Sequence, residues 1–258
     1  MQFRPCIDIH NGKVKQIVGA SLRDQGDSAA ENFVADRPSS YYASIYRENA
    51  LSGGHVIMLN SKDSEFYEAT KKQALLALQT YPGGMQAGGG ITDENAEEFL
   101  KAGASHVIVT SFVFNDGRLQ EENLRKIQNA VGKERLVLDL SCRRKDGKLY
   151  IVTDRWQKFT DIEVTVELLE ELSAECDEYL IHAVDVEGKS AGIDSEVVKL
   201  LSKVRSIPVT YAGGVRSVED LKRIRDIGEE RVNATVGSAL KLFGGTLEID
   251  EIRNGLEH

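Results

Sequence analysis

The sequence is poor in the features that mark secreted, membrane-bound or disordered proteins. It has only three cysteines, Cys6, Cys142 and Cys176, whose odd number and wide separation favour buried, reduced thiols over a disulfide framework. No run approaches the roughly 18 apolar residues of a membrane span. The first residues, MQFRPCIDIH, contain neither the basic nor the apolar part of a secretory signal. We therefore expect a soluble, cytoplasmic protein that does not bind membranes.

Basic residues are outnumbered by acidic ones. The chain carries 32 Lys and Arg against 41 Asp and Glu, a formal net charge of −9. Because this charge repels polyanions, nucleic acid is not an expected partner, and an anionic small molecule needs a local binding site. The sequence also lacks the metal-ligand spacings of His, Cys and Asp, a Rossmann fingerprint and a Walker sequence. No residue pattern therefore indicates a metal or a nucleotide cofactor.

Short apolar runs alternate with amphipathic stretches along the chain, which is typical of repeated βα units. The length of 258 residues matches the roughly 250 of one complete α/β barrel. No Pro/Gly/Ser-rich linker divides the chain. We predict an α/β fold, a single (β/α)8 TIM barrel over residues 1–258, with 256–258 set aside as a candidate cloning remnant. The eight predicted strands are 4–9, 55–60, 85–87, 106–110, 135–140, 178–184, 207–212 and 234–236.

Local signals place some of the helices. Thr92 and Ser217 precede amphipathic stretches that end near Gly103 and Gly228, so both are predicted N-caps. Residues 12–53 form a long insert between the first two strands, in which GKVKQIV predicts an extra hairpin and the following residues predict the first helix. Long βα loops of this kind often cover the active site of a barrel.

The two halves of the chain repeat one another. GGI at 89–91 returns as GGV at 213–215, and VIVTS at 107–111 returns as ATVGS at 234–238. By the same rule, CIDIHNGK at 6–13 pairs with VLDLSCRRKDGK at 137–148. Each pair is separated by about half the chain, which predicts a twofold internal repeat of half-barrels. The repeat places Asp8 opposite Asp139.

Asp8 and Asp139 are the candidate catalytic pair. Each lies in an otherwise apolar strand near its carboxyl end, where barrel enzymes assemble their active sites and where an unpaired carboxylate is costly to bury. Two carboxylates across the barrel mouth suit proton donation on one side of a sugar and proton removal on the other. The alternative is that each aspartate only caps a loop or pairs with a lysine such as Lys13.

Two glycine turns are candidate phosphate sites. Residues without Cβ let backbone N–H groups approach an anion at a helix N-terminus, and the turns after barrel strands seven and eight are a recurrent phosphate site. Glycine is also common in strand-to-helix turns for structural reasons alone. We call the two candidate phosphate sites the first and second cradle. The predicted substrate-binding residues of the first cradle are Gly89, Gly90, Thr110 and Ser111, and those of the second are Gly213, Gly214, Gly237 and Ser238.

The histidines carry a weaker signal. His182 lies near the end of strand six, with Asp185 and Glu187 following, so it either orients a substrate, tunes a proton transfer, or is a satisfied buried side chain. We include it among the substrate-binding candidates. His55 and His106 begin their strands, so we expect both at the opposite barrel end in a stabilising role.

Longer matches over nearly the whole chain point to a family. They are FRPCIDIHNGKVKQIV, GGGITDENA, HVIVTS, RLVLDLSCR, LIHAVDVEGKSAGID, VTYAGGVRSVEDL and ATVGSALKLFGG. With these segments the chain resembles the isomerases of histidine biosynthesis that act on a formimino-aminoimidazole-carboxamide ribonucleotide (ProFAR), most closely their eukaryotic, fungal-like branch. The resemblance implies an Amadori rearrangement that turns the aldose into a ketose.

The resemblance also implies roles for individual residues. In that family the strand-one aspartate is the proton acceptor and the strand-five aspartate the proton donor, roles that would fall on Asp8 and Asp139. The implied substrate is a small molecule with a phosphate at each end, which fits two cradles, and no metal or organic cofactor is implied. We expect a monomer, since one barrel with an acidic surface can function alone.

The chain departs from bacterial relatives of this family at several positions. Those relatives have a threonine at the end of strand six and an aspartate five residues later, where this chain has His182 and Glu187. They also often have arginines at the positions held here by Thr92 and Ser238. Arg216, after the seventh strand, is the candidate to supply the missing charge.

Two other functions remain as alternatives. The cyclase subunit of imidazole-glycerol-phosphate synthase shares the barrel, the duplicated phosphate turns and both aspartates, but it requires a glutaminase partner and ammonia. The segments CIDIHNGK and AVDVEGKSAG favour the isomerase. The second alternative is a non-catalytic barrel that binds a phosphosugar and keeps its carboxylates for stability.

Overall fold

Eight parallel strands close into a barrel in a computed structural model that describes residues 1–17, 21, 28–153, 156, 158–187 and 192–257. The first half of the chain forms β1 (Phe3–His10), β2 (Lys13–Ile17), β3 (Glu31–Val34), α1 (Ser39–Glu48), β4 (Gly54–Met58), α2 (Tyr67–Thr80), β5 (Met85–Gly88), α3 (Ala96–Lys101), β6 (Val107–Val109), β7 (Phe114–Asn115), β8 (Arg118–Leu119) and α4 (Glu121–Val131). The second half forms β9 (Leu136–Asp139), β10 (Cys142–Lys145), β11 (Lys148–Thr153), β12 (Lys158–Glu163), α5 (Val166–Leu172), β13 (Glu178–His182), α6 (Ser195–Leu201), β14 (Val209–Ala212), α7 (Val218–Ile227), β15 (Val232–Val236) and α8 (Ile249–Glu257).

The barrel order confirms the predicted (β/α)8 fold. Strands β1, β4, β5, β6, β9, β13, β14 and β15 follow one another around the barrel, and β15 returns to β1 with Phe3 opposite Ala234. All eight predicted strands are present, although several end one or two residues earlier than predicted. Among the described residues, no helix combines the length and apolarity needed to cross a membrane.

The apolar core has two layers because the strands are buried on both faces. One layer packs the outer faces of the strands against the helices. The other lies inside the barrel and consists of Ile108, Val137, Leu180 and Ala212, with Ile57 packed against them. Below this layer a buried Arg4–Glu178 ion pair lies at the amino-terminal end of the barrel, where Gln86 and Thr210 also donate hydrogen bonds to the Glu178 carboxylate.

The predicted helix signals are half right. The Ser217 hydroxyl accepts a hydrogen bond from the Asp220 N–H at 3.2 Å, and Gly228 ends α7, as predicted. The prediction of a Thr92 cap is wrong, because α3 begins four residues later, after Asn95. The Asn95 side chain accepts a hydrogen bond from the Thr92 N–H and so forms a turn ahead of the helix. No described residue pairs with the Thr92 hydroxyl, which is buried.

The insert after β1 contains the predicted hairpin and helix. Strand β2 pairs antiparallel with both β1 and β3, and α1 follows. Val18, the last residue of GKVKQIV, lies outside the described residues, as do 188–191 of the AVDVEGKSAG segment and His258. A three-stranded sheet of β10, β11 and β12 beside the barrel mouth was not predicted. Its first turn uses Asp146 and Gly147, both with positive φ, which is the Asp-Gly hairpin signal.

Candidate active site

A pocket of about 410 Å³ lies at the carboxyl ends of the barrel strands. A second cavity of about 40 Å³ adjoins it, and the two share Asp8, Gln16, His182, Glu187 and Ser238 among their lining residues. We call them the main pocket and the inner cavity. Their position agrees with the rule that barrel enzymes place their active sites at this end.

Every predicted site residue lines one of these two spaces, because parallel strands bring residues half a chain apart to the same mouth. The main pocket is lined by both aspartates, by His182 and by the first cradle with part of the second: Asp8, Asp139, His182, Gly89, Gly90, Thr110, Ser111 and Ser238. The inner cavity is lined by the rest of the second cradle: Gly213, Gly214 and Gly237.

Asp8 occupies an electrostatic environment that disfavours its charge. It lies in β1 opposite Ile57 of β4, and its Oδ2 accepts one long hydrogen bond, 3.4 Å, from the Gln16 side-chain amide. Burial, together with the nearby Glu187 carboxyl, raises the pKa of Asp8 to about 7. Asp8 therefore titrates near neutral pH, the range in which a carboxylate is a useful general base.

Asp139 meets the opposite environment. It ends β9, and its Oδ1 accepts a hydrogen bond from the Ser141 hydroxyl at 2.7 Å and lies 3.3 Å from His182 Nδ1. Although burial opposes ionisation, the His182 imidazole and the Ser141 hydroxyl together lower the pKa of Asp139 below its usual value. The alternative of a pair with Lys13 gains no support, because the partners found for both aspartates in the described chain are Gln16, Ser141 and His182.

Of the two histidines expected at the opposite barrel end, His55 lies inside the site and His106 outside it, so the prediction for His55 is wrong. The His55 ring lies 6.0 Å from the His182 ring, centroid to centroid, and lines the inner cavity. Burial and the neighbouring His182 lower the pKa of His55 to about 3, so its imidazole is neutral. His106 Nε2 lies 3.1 Å from Asp177 Oδ2, and this pair lines neither cavity, in line with a stabilising role.

Glu187 is a third carboxyl at the site. It follows β13, and burial raises its pKa. No described residue hydrogen-bonds its Oε2, although this atom is buried and Glu187 lines both cavities. An unsatisfied buried carboxyl oxygen is costly unless a ligand or a proton compensates it. Glu187 therefore belongs to the site, although the sequence analysis left its role open.

Both glycine turns contain a glycine that packs against a neighbouring carbonyl oxygen. At Gly89, with φ +93°, a Cβ would lie 2.0 Å from the Met58 carbonyl oxygen, and at Gly214, with φ +71°, one would lie 2.2 Å from the Gly192 carbonyl oxygen. Any larger residue would clash with backbone in both turns. This close packing requires glycine even without a ligand. The glycines alone are therefore no evidence for an anion, and phosphate binding at these turns is a proposal.

The positive charge near the first turn comes from an unpredicted residue. Lys62 lines the main pocket beside Gly90. Arg216, the predicted source of charge, instead lies 3.4 Å from Asp220 through its Nε, and its side chain is 54% exposed. Lys62 lies in the loop after β4, where no motif marked it.

Two more groups at the site were missed by the sequence analysis: Trp156, which lines the main pocket, and Ser141, which lies behind it against Asp139. Trp156, the only tryptophan of the chain, lies between β11 and β12, and its ring centroid is 5.6 Å from that of His182. Its indole N–H donates to Ser141 at 2.9 Å. A lone tryptophan in a loop beside a barrel mouth was an available signal, whereas nothing in the sequence marked Ser141.

One cluster has atoms of the type that bind metals. Cys6, Asp8 and His55 place one such atom each within 4.8 Å of one another. The Cys6 sulfur already contacts the Val236 carbonyl at 3.8 Å, and burial raises the pKa of its thiol well above the usual value. A cation would have to displace this thiol proton.

Comparison with known proteins gives a consistent result. The family model described as histidine biosynthesis protein matches residues 2–247. An enzyme from Medicago truncatula named 1-(5-phosphoribosyl)-5-((5-phosphoribosylamino)methylideneamino)imidazole-4-carboxamide isomerase, chloroplastic, is 53% identical over 98% of this chain and 80% of its own length. Enzymes with the same isomerase name from Neurospora crassa and Saccharomyces cerevisiae are 47% and 42% identical, each over 95% of this chain and 93% and 94% of their own lengths. The matched family model and these relatives, which cover most of both chains, place this chain in the histidine biosynthesis protein family.

Proposed function

We propose that this chain is a ProFAR isomerase, which converts the aminoaldose end of its bis-phosphorylated substrate into an aminoketose by an Amadori rearrangement. The observation that carries the proposal is the pair of strand-end aspartates in one pocket, equivalent in the half-barrel repeat and opposite in proton affinity. Such a pair provides one basic and one acidic side for a sugar bound between them. The isomerase name of the relatives agrees with this chemistry.

In this proposal each part of the substrate has its own place in the pocket. One phosphate would bind at Gly89, Gly90, Thr110 and Ser111, next to Lys62, and the other at Gly213, Gly214, Gly237 and Ser238. The reacting ribose would then span the barrel axis between Asp8 and Asp139. Trp156 offers an aromatic face on the same side of the pocket as Asp139.

In the proposed reaction the Asp139 side of the pocket protonates the ribose ring oxygen. The C1–O bond breaks and the substituent nitrogen supplies the electrons of a C1=N bond. Ionised Asp8 then removes the C2 proton to give an enolamine, which becomes the ketose when C1 is protonated and the C2 hydroxyl loses its proton. No atom is gained or lost, so no second substrate is needed.

The test is an assay with purified ProFAR alone. We expect the ketose isomer to form without glutamine or ammonia, and NMR of the ribose carbons measures its formation. Asp8→Asn should lower kcat by about 10²–10⁴-fold with little change in KM, because a general base acts in the transition state. No conversion by the wild-type enzyme, or a requirement for ammonia, would contradict the proposal.

We also propose that the enzyme acts as a monomer in the cytoplasm. The acidic net charge of −9 supports separate chains through mutual repulsion. Light scattering coupled to size exclusion should give a mass near 28.5 kDa. Microscopy of the tagged protein in its own cells would test the compartment, and a plastid signal like that implied by the name of the Medicago relative would contradict it.

A further inference from the structure

We infer that His182, and not the Asp139 carboxyl itself, gives the proton to the ribose ring oxygen, with Asp139 as the carboxylate that orients it. The inference rests on the proposed isomerase function and assigns its acidic group. It replaces the division of labour implied by family resemblance, in which the strand-five aspartate is the donor.

The Trp156 indole determines which groups donate and which accept in the hydrogen bonds around Asp139. The Trp156 N–H can only donate, so Ser141 Oγ, at 2.9 Å, must accept from it. The Ser141 hydroxyl hydrogen is then available for Asp139 Oδ1 at 2.7 Å. Asp139 Oδ1 thus receives a hydrogen bond from a group that is already oriented as a donor.

The direction of these hydrogen bonds also determines whether Nδ1 of His182 carries a hydrogen. Its Nδ1 lies 3.3 Å from Asp139 Oδ1 and 3.4 Å from Ser141 Oγ. Because the Ser141 hydrogen is directed to the carboxylate, Nδ1 must carry a hydrogen of its own to make either contact favourable. Asp139 Oδ1 therefore accepts from two donors and is not an oxygen that holds an acidic proton, whereas the His182 Nδ1 beside it carries a hydrogen.

The charges that face His182 all favour the imidazolium. Asp139 on β9, Asp8 on β1 and Glu187 after β13 are carboxyls, whereas His55 on β4 is a neutral imidazole. Burial disfavours the charged ring, but these carboxyls raise the pKa of His182 to about 9, and the same pairing lowers the pKa of Asp139. At neutral pH the pair is therefore imidazolium and carboxylate.

The proton transfers of one turnover balance with His182 as the donor. The imidazolium protonates the ring oxygen as the C1–O bond breaks, and it becomes neutral. After Asp8 removes the C2 proton, the enolamine hydroxyl returns a proton to the neutral imidazole, and Asp8 delivers its proton to C1. Both groups regain their starting states without solvent, and His182 lines the pocket in which these atoms would lie.

The experiment compares three variants with the wild type. His182→Gln keeps an amide donor for Asp139 but has no transferable proton, and we expect it to lower kcat by about 100-fold or more with KM changed much less. The alkaline limb of the wild-type kcat/KM profile, near pH 9 from the pKa of His182, should be absent in this variant. In Asp139→Asn the limb should move to lower pH, because the imidazolium loses its counter-ion.

His106→Gln is the matched control, since His106 forms a histidine–aspartate pair with Asp177 outside both cavities. We expect it to leave kcat and the pH profile unchanged. A His182→Gln enzyme that keeps more than about a tenth of wild-type turnover, with the same alkaline limb, would overturn the inference. Failure of the proposed function is separate, because it would appear as no turnover in the wild type.

A measurement on the wild type without substrate covers the case in which His182→Gln does not fold. Imidazole ¹⁵N NMR of histidine-labelled protein, assigned with the His182 and His106 variants or with Trp156→Phe, should show His182 protonated on both nitrogens at pH 7.5. A neutral His182 ring at this pH would contradict the inference.

Discussion

Asp8 and Asp139 occupy equivalent positions in the two half-barrels, yet their neighbours give them opposite proton affinities. Asp8 lies near a second carboxyl, Glu187, and accepts one long hydrogen bond from the described part of the chain. One oxygen of Asp139, Oδ1, contacts both the Ser141 hydroxyl and the His182 imidazole. Because desolvation acts on both, the difference comes from these partners. The internal symmetry of the barrel is therefore broken at the level of single side chains.

This difference predicts opposite effects of the same substitution on stability. The pKa of Asp8 is raised, so its contribution to the free energy of unfolding is full below about pH 4 and is lost as the pH rises through about 7. The pKa of Asp139 is lowered, so its contribution is present above about pH 4 and is lost on acidification. At pH 8, Asp8→Asn should raise the free energy of unfolding and Asp139→Asn should lower it, each by on the order of 1–3 kcal/mol.

Urea unfolding of both variants at pH 8 measures these changes. Asp177→Asn is the control, because Asp177 is also hydrogen-bonded to a histidine but is about half exposed. It should shift the free energy of unfolding by less than about 1 kcal/mol. Changes of the same sign in Asp8→Asn and Asp139→Asn would show that the two carboxyls share one electrostatic environment.

Sequence reasoning found the positions of the two aspartates but not their environments. An aspartate at the end of an apolar strand is recognisable as a candidate site residue, because burying its charge is costly unless partners compensate it. The groups that set its proton affinity come from other elements: Ser141 after β9, Trp156 between β11 and β12, and His182 on β13. Contacts between residues so far apart in sequence leave no local pattern.

At the scale of elements, the strands were predictable and the caps less so. Eight apolar runs became eight strands because burial on both faces requires continuous hydrophobicity. The β10–β12 sheet was missed, since its strands carry the charged sequence CRRKDGK, although the Asp-Gly turn within it was readable. The Thr92 cap failed because Asn95, closer to the helix, formed the turn instead.

A matched pair of substitutions tests this account of the caps. Ser217→Ala removes the hydroxyl that accepts from the Asp220 N–H and should lower the free energy of unfolding by about 1 kcal/mol. Thr92→Ala removes a buried hydroxyl that none of the described residues satisfies, so it should be neutral or slightly stabilising. Denaturant unfolding of both variants decides the point, and an equal loss in the two would restore Thr92 as a cap.

At the scale of the whole molecule, the half-barrel repeat gives an acidic protein two glycine turns, which are the two proposed anion sites. The first cradle follows β5 and β6, and the second follows β14 and β15, so the two turns lie on opposite sides of the mouth. The repeat was visible in the sequence because both turns need glycine against a neighbouring carbonyl. The net charge of −9 means that any phosphate affinity must come from these local sites.

The repeat predicts that inorganic phosphate binds twice and competes with the substrate. Titration calorimetry should give a stoichiometry near two for the wild type. In Gly237→Ala the new Cβ would lie 2.5 Å from Gln16 Oε1 and 3.3 Å from Cys6 Sγ, so it narrows the inner cavity and leaves the first cradle intact. The stoichiometry should fall to about one, because only the second cradle is affected.

Gly83→Ala serves as the control for this titration, because a Cβ at Gly83 meets nothing within 4 Å and the residue lines neither cavity. Two sites should remain in this variant. Phosphate inhibition of the isomerase should stay competitive in both variants, since each remaining cradle would hold one end of the substrate. A wild-type stoichiometry of one would mean that only one of the two glycine turns binds an anion, and the functional symmetry of the half-barrels would then be limited to their aspartates.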